Sequence, residues 1–223
     1  DDLMKATAIS VLVTTVLVGV FLHGNATGMH YAAPDTAEFT LVKTSGDIAL
    51  YERWISPEPN QSARQVKATF PLRASPAAAL ALLKDGSRGQ MWNKNTNSYK
   101  VVDVSRNAWV GYIQYGLPWP VSNQDCVLQY QATGDSDSLV ILFEGTEHEK
   151  FPERRRVKRI AEIQGKWVFT KVAADEVLVE YYITTHPDKT LPKWITDPII
   201  RNNLIETVDS FRSLVENDLS ARG

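Results

Sequence analysis

Between Tyr99 and Thr185 the chain is almost all strand, and one long amphipathic helix follows; few folds accept that order. Tyr99–Val104, Asn107–Tyr115, Gln124–Ala132, Ser138–Glu144, Arg156–Ile163, Lys166–Val172 and Glu176–Thr185 have strand character and are separated by turn-rich segments. Most neighbours are joined by short loops, which predicts an antiparallel meander. From Pro192 to about Leu219, Trp194, Ile195, Ile199, Leu204, Val208, Phe211, Leu214 and Val215 fall largely at three- and four-residue spacings. That pattern predicts a helix with one apolar side. A sheet with one face to cover and one long helix to cover it gives an α+β fold, the sheet wrapped around the helix. Such wrapping leaves a void unless large side chains fill it.

The segment before Tyr99 reads as strands and short helices. Phe39–Lys43 and Ile48–Trp54 form a hairpin across Thr44-Ser45-Gly46-Asp47, Ser56–Ser62 is a loop, and Val66, Ala68 and Phe70 alternate as the buried face of a third strand. Ser75-Pro76 caps a helix over Ala77–Lys84 that Asp85-Gly86 ends, and Ser87–Asn93 predicts a second short helix or turn.

Bulk properties exclude several functions. The 223 residues, 43 % of them hydrophobic, suffice for one core. A net charge of −2 gives no global basic field for nucleic acid or anionic lipid. The basic run Glu153–Arg159 reads mostly as a solvated strand face. Cys126 is the only cysteine, so no intrachain disulfide forms. His23, His30, His148 and His186 are scattered, which argues against a zinc centre, and no cofactor is expected.

The N-terminus follows different rules. Lys5 precedes the uncharged run Ala6–Leu22, and Gly24-Asn25-Ala26 offers a small-x-small cleavage signal. Residues 1–30 thus read as a cleaved secretory leader with Met4 as the initiator, leaving one domain over 31–223. The rival is a permanent membrane anchor, although the run is short for a full span. Export without disulfides suits a bacterial periplasm or envelope.

Gly116-Leu117-Pro118-Trp119-Pro120 is a stiff, aromatic-bearing turn: each proline fixes φ and removes a donor, and Pro120 pushes Trp119 out of the helical region. Together with Asn123-Gln124-Asp125, this turn resembles the proline–tryptophan–proline turn of the START lipid-transfer domains, members of the helix-grip superfamily. Val157-Lys158-Arg159-Ile160 leading to Gly165-Lys166-Trp167 resembles a second family segment, and His186-Pro187-Asp188 with Leu191-Pro192-Lys193-Trp194-Ile195 a third. The likeness covers roughly Phe39 to Leu219; Gln124 and His186 depart from it, standing where the family usually has arginine and commonly aspartate. It implies a hydrophobic tunnel between sheet and final helix that holds a lipid-like guest, with a loop beside the helix as lid. It also implies a binding protein, not an enzyme; a polyketide cyclase of the same superfamily and an envelope interaction module are the alternatives. A lipid partner, transient membrane contact and a monomer are the corresponding expectations.

Strand parity selects the candidate wall. Cys126, Leu128 and Tyr130 share an apolar face, as do Trp109, Gly111, Ile113 and Tyr115. Gly111 leaves room that suits a pocket, or else marks a bulge or close packing. Val157, Arg159, Ala161 and Ile163 share the coreward face of their strand, so Arg159 must meet a ligand's polar group or a carboxylate. Trp92, Trp167, Tyr181 and Val179 extend the wall, with Ile195, Ile199 and Asn203 as a roof on the last helix and Asn203 a donor to a head group. No nucleophile has an evident base beside it.

Overall fold

The structure, a computed structural model, describes residues 38–56, 61–117, 119, 122–186 and 193–220, without the side chains of 193–195 and 219. The leader with its cleavage signal, most of the linker before Phe39, Pro118 and Pro120, and the connection 187–192 lie outside the described residues.

The first hairpin is β1 (Thr40–Ser45) and β2 (Ile48–Ile55), turned at Gly46 with φ +58°, the left-handed region that favours glycine. β3 (Ala63–Leu72) follows, and then α1 (Pro76–Leu83), whose Ser75 cap accepts from the Ala78 amide at 3.3 Å as its sequence foretells. A single turn, α2 (Gly89–Trp92), leads to β4 (Thr96–Asp103), β5 (Ala108–Tyr115), β6 (Gln124–Gly134) and β7 (Ser138–Gly145). β8 (Lys158–Arg159), β9 (Ile163–Ala173) and β10 (Glu176–Thr185) precede α3 (Lys193–Ser220).

One curved sheet results, in the order β1-β2-β3-β10-β9-β7-β6-β5-β4, with every pair on that path antiparallel. It is not a simple meander. β3 pairs with the last strand, Val179 opposite Phe70 and Tyr181 opposite Ala68, so the two helical turns cross from one edge region to the other.

The strand expected over Arg156–Ile163 shrinks to two residues, and they run parallel to β6. Arg156 takes φ +65°, which breaks an extended run, while the Lys158 and Ile160 amides donate to Asn123 and Asp125 carbonyls at 2.9 and 2.7 Å. The alternation of basic and aliphatic residues imitates a half-buried strand without one forming.

α3 lays Ile205, Val208, Phe211 and Val215 into the core, at the three- and four-residue spacings expected. Ion pairs fix it along its length. Arg201 reaches both oxygens of Glu52 at 2.8 and 2.9 Å, and Arg64 bonds Glu52 and Asp197. Farther along, Arg212 meets Asp47, and Arg88 holds Asp218 through two bonds of 2.5 and 2.9 Å. Burial pushes the Glu52 carboxyl up, but hydrogen bonds from Arg201 and Arg64 outweigh it and leave its pKa below the ordinary value.

Candidate ligand-binding wall

Period-2 alternation turns one side chain in two from the central strands into one core, to which α3 adds Phe211. Trp92, Trp109, Ile113, Cys126, Leu128, Tyr130, Trp167 and Val179 are buried in one cluster, with Tyr115 and Tyr181 packed against it. Ten of the sixteen expected wall residues therefore come together.

Aromatic rings join this wall into a continuous path. Trp109 stacks on Tyr130 at 4.9 Å between centroids, Tyr130 meets Phe143 at 5.6 Å, and Phe143 meets Tyr181 at 6.1 Å. Tyr181 stacks on Trp167 at 4.0 Å, and Trp167 meets Phe211 of α3 at 5.0 Å. Trp92 stands edge-on to Tyr99, Trp167 and Phe211. Phe143 and Tyr99 were missing from the sequence-based wall. Phe143 shares β7's buried alternation with Leu139 and Ile141, a period-2 signal that was available.

Gly111 offers no empty volume of its own. A Cβ there would stand 2.9 Å from Cε2 of Tyr130, whose ring lies across the glycine. Gly165 does the same for Phe143, with a Cβ 2.3 Å from Cζ. At both glycines, a ring from the adjacent strand takes the place a side chain would fill.

Arg159 faces the other way from the expected parity. Ile160 packs against the main core, while Arg159 lies on the opposite face with Nε 2.7 Å from Oδ1 of Asp125 and Nη2 3.1 Å from Oδ2. Nη2 also reaches the Phe151 carbonyl at 3.1 Å, and the Tyr112 hydroxyl donates to Asp125 at 3.2 Å. Tyr112, Val110, Val127 and Phe151 form a separate small apolar cluster there. The Asp125 hydrogen bond, with its charge, raises the Arg159 pKa, so the guanidinium stays charged. Arg159 therefore forms a structural ion pair, and neither faces a ligand in the core nor stands free at a rim. Ala161 is exposed and takes no place in the wall, because its strand never forms.

Ile199 and Asn203 line a surface recess of about 390 Å3 with Asn95, Gly116, Leu117, Asn202 and Glu206, where α3 passes the end of β5. Asn203 Oδ1 accepts from the Thr207 hydroxyl at 3.1 Å. Ile195 belongs to α3, but its side chain lies outside the described residues. Burial pushes the Tyr99, Tyr115, Tyr130 and Tyr181 hydroxyls well up, and Cys126 to about 12, so all five stay protonated near neutrality.

A curved antiparallel sheet closed over one long C-terminal helix defines the helix-grip class. The family model for the START domain matches residues 47–218, most of the chain, and the protein belongs to the START-domain family. The crystal structure of the STAR-related lipid transfer protein from Xanthomonas axonopodis superimposes with a TM-score of 0.68 at 22 % identity, over 80 % of this chain and 98 % of that one. Human STARD10 gives 0.65 at 16 % identity over 79 % and 72 % of the two chains. An uncharacterised protein of Pseudomonas aeruginosa is 23 % identical over 146 residues, 65 % of this chain and 72 % of the relative. The Zhui aromatase/cyclase of a Streptomyces species shares the fold more loosely, with a TM-score of 0.53 at 10 % identity over 72 % and 98 %.

Proposed function

We propose that this protein binds a lipid or other hydrophobic small molecule between the sheet and α3 and passes it between membranes. One observation carries the reading. Tyr115 and Tyr181 pack against the buried cluster yet stay only half-buried, and an aromatic path beside them runs from β5 across the sheet to α3. These rings carry phenol hydroxyls on an otherwise apolar wall, the apolar-with-polar-tips character of lipid pockets. The START relatives support the same reading.

Binding without catalysis accounts for the polar groups: phenols and a thiol kept protonated by burial are donors, and none can act as a general base. That weighs against the cyclase alternative.

Membrane contact completes the proposal. Trp119 is 91 % exposed on the β5–β6 loop, and the exposed Arg154, Arg155 and Arg156 precede β8, which runs beside the start of β6. An exposed aromatic and an exposed cationic run each suit the interface of an anionic bilayer. The leader's composition adds export to the periplasm or envelope, where the protein acts as a monomer.

Native mass spectrometry of protein purified from its own source tests the binding. A hydrophobic guest is expected, and protein recovered consistently empty would overturn the reading. For the membrane arm, Trp119→Ala should lower co-sedimentation with anionic vesicles while leaving the melting temperature in place.

A further inference from the structure

We infer that the buried part of the guest is uncharged and carries a hydrogen-bonding oxygen, held by the hydroxyls of Tyr130 and Tyr181. The inference rests on the binding reading above and narrows it to a ligand class.

The first argument is the charge of the wall. Its strands present Trp109, Ile113 and Tyr115 from β5, Cys126, Leu128 and Tyr130 from β6, Phe143 from β7, Trp167 from β9 and Val179 and Tyr181 from β10. None carries a formal charge. The charged pair Asp125–Arg159 lies on the opposite face of the sheet. Glu52 and Arg64, buried beside α3, are engaged with each other and with Asp197 and Arg201. An anionic or cationic group lodged against the rings would lose its hydration with no countercharge to replace it.

The second argument is the state of the hydroxyls. Tyr99 donates to the Leu83 carbonyl at 3.1 Å, and Tyr115 bonds Asn93. Among the described residues no hydrogen bond engages the Tyr130 or Tyr181 hydroxyl, and neither oxygen is sealed off as a fully buried unpartnered atom, so both stay accessible. Phe143 bridges their two rings, so both phenols lie along one path across the wall. The indole N–H groups of Trp92 and Trp109, by contrast, are fully buried without a partner. Covering an accessible hydroxyl without giving it a partner is unfavourable. Bare hydrocarbon contacts would impose that cost, whereas an ester carbonyl or alcohol oxygen avoids it.

The test offers the delipidated full-length protein three radiolabelled probes, each in its own phosphatidylcholine vesicles: dioleoylglycerol, ionised oleate and squalene. Protein-bound probe is counted after the vesicles are removed. Dioleoylglycerol is expected to exceed both others by about tenfold or more, the worth of one or two good hydrogen bonds. Tyr130→Phe and Tyr181→Phe should each lower its retention by about three- to tenfold while leaving squalene retention and the melting temperature unchanged. Oleate or squalene retained as well as dioleoylglycerol overturns the inference and leaves the binding reading standing. Unchanged retention in both phenylalanine variants does the same. Retention of none of the three overturns the inference, and the binding reading falls with it only if native mass spectrometry also finds no vesicle phosphatidylcholine on the protein.

Discussion

Replacing Asp125 with alanine removes the acceptor of a two-bonded guanidinium that cannot discharge. Asp125 is 1 % and Arg159 11 % exposed, and their bonds are 2.7 and 3.1 Å long, so little water screens the pair. Stranding one partner of a buried ion pair costs about 3–5 kcal/mol. The Phe151 carbonyl stays within 3.1 Å of Nη2, which argues for the low end, about 3 kcal/mol. In a domain of this size, 1 kcal/mol corresponds to about 2–4 °C, so the melting temperature should fall by about 6–12 °C. Urea denaturation of Asp125→Ala, Arg159→Met and the double variant closes the cycle. Because Arg159→Met deletes the stranded charge, the double variant should be more stable than Asp125→Ala by at least about 1 kcal/mol. Guest retention should be the same in all three. The reasoning fails if Asp125→Ala costs under about 1 kcal/mol, or if Arg159→Met empties the protein at unchanged stability.

Further outcomes follow from other parts of the fold. Gly165→Ala would put a Cβ 2.1 Å from the Tyr182 carbonyl oxygen, a backbone atom, as well as against Phe143, so it should destabilise by several degrees in a thermal melt. Glu52 has a folded pKa below its ordinary 4.5, so its contribution is fully present above that value and lost as the pH falls through the folded pKa. Urea midpoints taken through the acid range should therefore drop more steeply for the native protein than for Glu52→Gln; equal slopes would refute the assignment. The Cys126 thiol, pushed up to about 12 by burial, should resist iodoacetamide at mildly alkaline pH in the folded protein and react once urea unfolds it.

Local periodicity made most elements legible, because one buried face writes a period of two into a strand and of three to four into a helix. β10 was read to its last residue, and Val177 and Val179 point inward as their spacing requires. Partners were not legible: nothing in Val66, Ala68 and Phe70 tells that β10, more than a hundred residues on, is the neighbour. Arg159 failed for another reason. Its alternation with valine and isoleucine was real, but two backbone bonds to the β5–β6 loop and β6 set its orientation. For Gly111 the sequence leaves pocket room and close packing both open, and only the structure shows close packing, with a ring on the adjacent strand lying across the glycine.

The seam between β3 and β10 has a bearing on biosynthesis. A ribosome, or a translocon, delivers β3 long before β10 exists, so its edge waits unpaired while the middle of the chain is made. Productive closure needs the last quarter of the polypeptide, and pairings this distant are slow to form. Shortening the gene from its 3′ end should therefore give aggregates, never a smaller soluble domain, and a holdase would do its most useful work on that waiting edge.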